Sequence, residues 1–134
     1  MRLLIALILS TILFGCDSWD VTSNDFNLND TFELKSQIIA HNYDHKINIY
    51  LDSVLYDTRC PLGFLCLWEG NARVRFKFIS NHIASDLILN TYSQYTSDTI
   101  VNGFKIKMVS LAPLPKSGVK TEQKEYRATM IIRN

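Results

Sequence analysis

Glycine and proline are scarce in this chain, five and three of 134 residues, and neither sign of charge prevails: 14 Lys and Arg stand against 13 Asp and Glu. So little Gly and Pro excludes collagen-like and low-complexity architectures. The formal charge of +1 excludes a sequence-wide attraction to nucleic acid, which needs excess Lys and Arg to neutralise phosphates. Arg2 alone accounts for the surplus. Patterns that carry common chemistries are missing as well. There is no Gly-x-Ser-x-Gly elbow, no phosphate-cradling Gly-rich loop and no His-Glu-x-x-His. Past residue 16, no segment repeats apolar residues at a helical period.

What is present fits a globular protein of one domain, with 47% apolar and 20% charged residues. The first residues stand apart. Arg2 precedes an apolar run from Leu3 to Phe14, interrupted only by Ser10 and Thr11. A bilayer-spanning helix needs about 20 such residues, so the run has the length of a secretory signal's hydrophobic region. It ends in Leu13-Phe14-Gly15-Cys16, which resembles the bacterial lipobox. That resemblance implies cleavage at small Gly15 and diacylglycerol on the Cys16 thiol, hence a lipid bilayer as a partner and the bacterial cell envelope as location. Residues 1–15 are then a signal peptide, and residues 16–30, rich in Asp, Asn and Ser, are expected to form a flexible tether. Trp19, three residues after Cys16, is expected either at the headgroup level or as a solvated tether residue. Residues 31–134 are expected to form the folded domain.

Cysteine arithmetic agrees. An odd thiol in a secreted protein needs explaining, and there are three. Lipidation of Cys16 leaves Cys60 and Cys66 in an oxidising compartment, where a short-range disulfide is expected. The competing zinc site has too few ligands at these spacings.

From Thr31 onward, short segments alternate apolar and polar residues, the mark of half-buried strands. Ile47, Ile49 and Leu51 alternate with Asn48 and Tyr50; Ala72, Val74, Phe76 and Phe78 with Arg73, Arg75 and Lys77; Phe104, Ile106 and Met108 with Lys105 and Lys107. Ser80-Asn81-His82 and Asn102-Gly103 supply turns, and Tyr126 to Ile132 reads as a last strand. The expected fold is all-β, a single small sandwich or barrel of about six to eight mainly antiparallel strands.

Between two of these strands runs Asp57-Thr58-Arg59-Cys60-Pro61-Leu62-Gly63-Phe64-Leu65-Cys66-Leu67-Trp68-Glu69-Gly70-Asn71-Ala72. Pro61 and Gly63 suit a tight turn. Trp68 offers an apolar face on which a disulfide can pack, and Gly70 allows a bend before the strand at Ala72. Asp57 and Arg59, two apart, share a face of an extended chain. The run resembles the signature of a family of small bacterial lipoproteins, which also share the lipobox and a Tyr126-Arg127-Ala128-Thr129 tail. The resemblance implies a lipoprotein with a β-domain and brings no activity with it.

Two readings of the loop stand open. In one it is a structural corner. In the other Leu62, Phe64 and Leu65 form a rigid apolar tip for an envelope protein partner, and preorganisation lowers the entropy lost on binding. Arg73, Arg75 and Lys77 are candidate partners for anionic groups or a solvated, ion-paired face. His41, Asp44 and His45 are weak candidates for a metal site. No cofactor, no nucleic acid and no enzymatic activity are expected. The function read from the sequence is a membrane-anchored, non-catalytic binding or structural module. The alternatives are an inhibitor or immunity-type lipoprotein that blocks a hydrolase through the Cys60–Cys66 loop, and a metal- or ligand-binding domain.

Overall fold

A computed structural model describes residues 24–134. The expected signal segment, Cys16, Trp19 and the first part of the expected tether lie outside the described residues. Among the described residues the chain forms eight strands: β1 (Thr31–Lys35), β2 (Ala40–Asn42), β3 (Ile47–Asp57), β4 (Ala72–Ser80), β5 (Ile83–Asn90), β6 (Asp98–Val101), β7 (Phe104–Ala112) and β8 (Arg127–Arg133). One sheet has the order β2-β3-β4-β5, the other β1-β8-β7-β6, and every neighbouring pair is antiparallel. The all-β fold of six to eight strands expected from alternation is what the chain adopts.

The period-2 pattern builds the core directly. Val74, Phe76 and Phe78 of β4 and Ile47, Ile49 and Leu51 of β3 are fully buried, and they share one apolar cluster with Leu34, Ile106, Met130 and Ile132 from the other sheet. Strands β3 and β4 thus turn alternate side chains inward, and two sheets cover each other. The hairpins turn where the sequence allows positive φ. Asn81 and His82 (φ 50° and 66°) join β4 to β5, and Asn102 and Gly103 (φ 51° and 84°) join β6 to β7. Two consecutive positive φ angles match the right-handed twist of the flanking strands.

Packing begins ahead of Thr31. Phe26 is buried and stacks on Phe32 with ring centroids 4.2 Å apart, while its backbone N–H donates to the His41 carbonyl at 3.0 Å. One large aromatic side chain has more apolar area to hide than the surrounding Asn and Asp have reason to keep in water. The segment just before β1, which by composition is expected to be tether, is therefore drawn onto the domain from Phe26.

The sandwich has two distinct ends along its strands. Asn24 and Asp25 meet His41, which pairs with Asn48 near the start of β3. The Cys60–Cys66 loop leaves the other end of β3, after Asp57. At about 3.3 Å per residue, roughly 30 Å of strand separates the two ends.

Candidate functional site

The β3–β4 connection is a stem, a base and a tip. The stem prolongs the hairpin: Thr58 N–H donates to the Asn71 carbonyl at 2.8 Å and Cys60 N–H to the Glu69 carbonyl at 2.9 Å. Gly70 is required here. Its φ is 72°, and a Cβ would lie 2.0 Å from the Thr58 carbonyl oxygen. Cys60 and Cys66 are joined by a disulfide with Cα atoms 5.9 Å apart, as expected from cysteine arithmetic. Inside the ring, Phe64 N–H donates to the Pro61 carbonyl at 3.1 Å, with Gly63 at φ 83° in the turn's third position, where a type II turn needs positive φ.

Beneath the stem sits a buried ion pair. Arg59 and Asp57, with side chains 7% and 8% exposed, meet through two bonds, Nε to Oδ1 at 2.8 Å and Nη2 to Oδ2 at 2.6 Å. The remaining donors of the guanidinium reach the Leu111 carbonyl and, at 2.7 Å, the Pro113 carbonyl, so the loop is tied to the end of β7 in the other sheet. Tyr126 OH donates to Asp57 Oδ2 at 3.2 Å. Burial, and then the Asp57 charge, raise the Tyr126 phenol above its usual 10.0. Fork-to-fork geometry and satisfied donors are what make a buried pair tolerable. Asn71, 1% exposed, closes the base: its Nδ2 donates to Asn90 Oδ1 at 2.9 Å and its Oδ1 accepts from Tyr92 N–H at 3.0 Å.

The tip is apolar and in water. Leu62 and Phe64 are 63% and 58% exposed, Leu65 and Leu67 wholly so, and Trp68 56%. Trp68 meets Tyr92 edge to face at 6.0 Å, and Tyr92 meets Tyr95 at 5.3 Å. The candidates Leu62, Phe64 and Leu65 are thus all exposed on one loop, and so are Leu67 and Trp68. The sequence points Trp68 toward the disulfide, because a Trp beside a bridge looks like core, and gives Leu67 no signal of its own. The base of the loop is a corner, and its tip faces solvent.

The other candidates lie elsewhere. On the outer face of β4, Lys77 bonds Asp86 at 2.5 Å, which raises its pKa, and Arg75 stands 3.9 Å from Asp52. Arg73 has no ion pair among the described residues and lines a cleft with Tyr56 and Tyr95, which connects it to the tip through the Tyr92 and Trp68 rings. Lys105 and Lys107 belong to the opposite sheet, and Lys105 pairs with Asp98 at 3.1 Å. His41 Nδ1 shares a hydrogen bond with Asn48 at 2.8 Å and His45 Nδ1 one with Asn42 at 3.1 Å. Among the described residues no three His, Cys, Asp or Glu side chains, His41, Asp44 and His45 included, are grouped to hold a metal ion.

The loop's thiols are joined in the disulfide, and its Asp57–Arg59 pair is engaged in structural bonds. Among the described residues no helix is long and apolar enough to cross a membrane. Comparison of the chain with protein-family models, curated proteins and solved structures finds no match.

Proposed function

We propose that this protein is a lipid-anchored, non-catalytic binding module of the bacterial envelope whose Cys60–Cys66 loop seats on a protein partner. The observation that carries the reading is the contrast within one loop. A base locked by the disulfide and the buried Asp57–Arg59 pair holds out apolar side chains that the fold leaves largely in water. Apolar residues held together in water are a standing cost unless something covers them. A braced loop also loses less entropy when it is covered.

The anchor rests on Leu13-Phe14-Gly15-Cys16. Asn24, the first described residue, lies at the end of β3 opposite the loop. A tip at the far end of the sandwich from Asn24 suits a protein partner in the envelope. A second reading, inhibition of an envelope hydrolase, is favoured by the same feature: a short, disulfide-closed loop with Leu62, Phe64 and Leu65 outward suits insertion into a cleft.

The test is crosslinking in intact cells that produce the full chain. The wild type is expected to capture a specific protein, and Phe64→Ser with Leu65→Ser to lose at least about nine tenths of it, since aromatic and apolar anchors carry most of an interface's energy. Capture that survives both substitutions refutes the loop as the contact surface.

A further inference from the structure

A second concentration of charge lies beside the loop, on residues other than those of β4. The β7–β8 connection and the start of β8 enclose a cavity of about 570 Å³, whose wall carries Lys116, Lys120, Lys124 and Arg127, with Val119 and a single acid, Glu125. The Glu125 carboxylate is committed, accepting the Glu122 N–H at 2.8 Å, and Lys124 pairs with Glu122 at 2.8 Å. Lys116, Lys120 and Arg127 have no ion pair among the described residues. Arg127 also sits directly across from Lys35 on β1, both exposed. Like charges opposed on neighbouring antiparallel strands destabilise the pair, a cost that a bound anion offsets.

The cavity is continuous with the loop. Leu62 N–H donates to the Pro115 carbonyl at 2.9 Å, one residue before Lys116, and Leu114 lines both this cavity and the cleft under Cys60 and Phe64. We infer that the cavity takes the carboxylates of an acidic segment of the protein that covers the Cys60–Cys66 tip. This rests on the binding-module reading and specifies the partner's chemistry: an apolar patch for the tip, flanked by Asp or Glu.

Three features favour an acidic peptide over other anions. Three of the four cations are lysines, whose flexible stems suit several separated carboxylates, whereas a single phosphate is better held by a planar guanidinium fork. The cavity is large enough for several side chains. It also adjoins the loop that the protein partner covers, through Pro115 and Leu114.

The experiment uses the full-length chain in non-ionic detergent and a fluorescein-labelled hexaglutamate peptide, followed by anisotropy at low salt. Binding is expected, weakened about tenfold in Lys116→Glu with Lys120→Glu, and weakened likewise at about 0.5 M salt, where the Debye length shrinks to a few ångströms. Arg75→Glu, on the other sheet, is expected to bind as the wild type does. No binding, or an equal loss in the Arg75 variant, overturns the inference. Phosphatidylglycerol vesicles are the second arm: vesicle binding that needs Lys116 and Lys120, with no peptide binding, makes a lipid headgroup the occupant and overturns it too. In the crosslinking assay, capture lost with Phe64→Ser and Leu65→Ser together but kept with the double charge reversal leaves the loop reading standing and removes this one. Capture indifferent to Phe64→Ser and Leu65→Ser together removes the loop reading, while the peptide assay still reports on the cavity.

Discussion

Replacing Arg59 with Met removes the guanidinium and keeps much of the side chain's length and apolar volume, so the loss reads the polar network rather than a void. The substitution strands the Asp57 carboxylate, 8% exposed, with the Tyr126 hydroxyl still bonded to it, and takes donors from the Leu111 and Pro113 carbonyls. Removing one partner of a buried pair costs about 3–5 kcal/mol. Against a typical total stability of about 5–15 kcal/mol that is a large share. For a chain of this size one kcal/mol moves Tm by about 4 °C, so a fall of about 12–20 °C is expected in a thermal melt, with a matching loss in urea titration at unchanged slope. Asp57→Asn combined with Arg59→Met is expected to lose less than the sum of the single changes, by at least about 1 kcal/mol, because the second change removes a group the first had stranded. A loss below about 1 kcal/mol for Arg59→Met alone refutes the view that this pair holds the loop's base.

Other outcomes are expected from the same geometry. Replacing Cys60 and Cys66 with Ser releases a small ring, and the chain-entropy model gives a loss of about 2 kcal/mol, or about 8 °C in Tm; no shift contradicts the bridge as a stabilising element. Gly70→Ala is expected to cost about 3 kcal/mol or more, since the methyl group meets the Thr58 carbonyl, whereas Gly63→Ala, with nothing within 4 Å, costs about 1 kcal/mol for its positive φ alone; equal losses in denaturant titration contradict that contrast. Tyr126 has a raised pKa, so the folded state holds its proton more tightly than the unfolded one. That stabilisation is complete below the unfolded value near 10.0 and is lost as pH rises through the folded value. Stability measured across this alkaline range should therefore fall more steeply in the wild type than in Tyr126→Phe, and parallel curves refute the assignment.

Much of this architecture is legible in the residues, and the exceptions have physical causes. Strand β4 announces itself because one of its faces runs Ala72, Val74, Phe76 and Phe78 and the other carries Arg73, Arg75 and Lys77. The Asn102-Gly103 turn is equally plain, since both residues tolerate positive φ. Strand β6, Asp98–Val101, gives no such signal: it is short, lies at a sheet edge, and buries none of its side chains fully. Asp57 and Arg59 are readable as neighbours on one face, but their ties to carbonyls 52 and 54 positions beyond Arg59 belong to tertiary structure. The basic cavity is invisible in the sequence for the same reason. Lys116, Lys120 and Lys124 lie in a connection without period, and only the return of the chain into β8 brings Arg127 beside them. Phe26 is outnumbered by its polar neighbours, although a single buried aromatic is enough to dock a segment.

One short loop divides into residues that hold it and residues it holds out, and a paired measurement on Leu65→Ser with Leu67→Ser tests that division most directly. Both side chains are wholly exposed. Melting of the variant should therefore match the wild type to within about 0.5 kcal/mol, the range of surface substitutions, while partner capture in cells falls to background. A variant that melts well below the wild type, or one that captures its partner undiminished, contradicts the division of the loop into brace and contact surface.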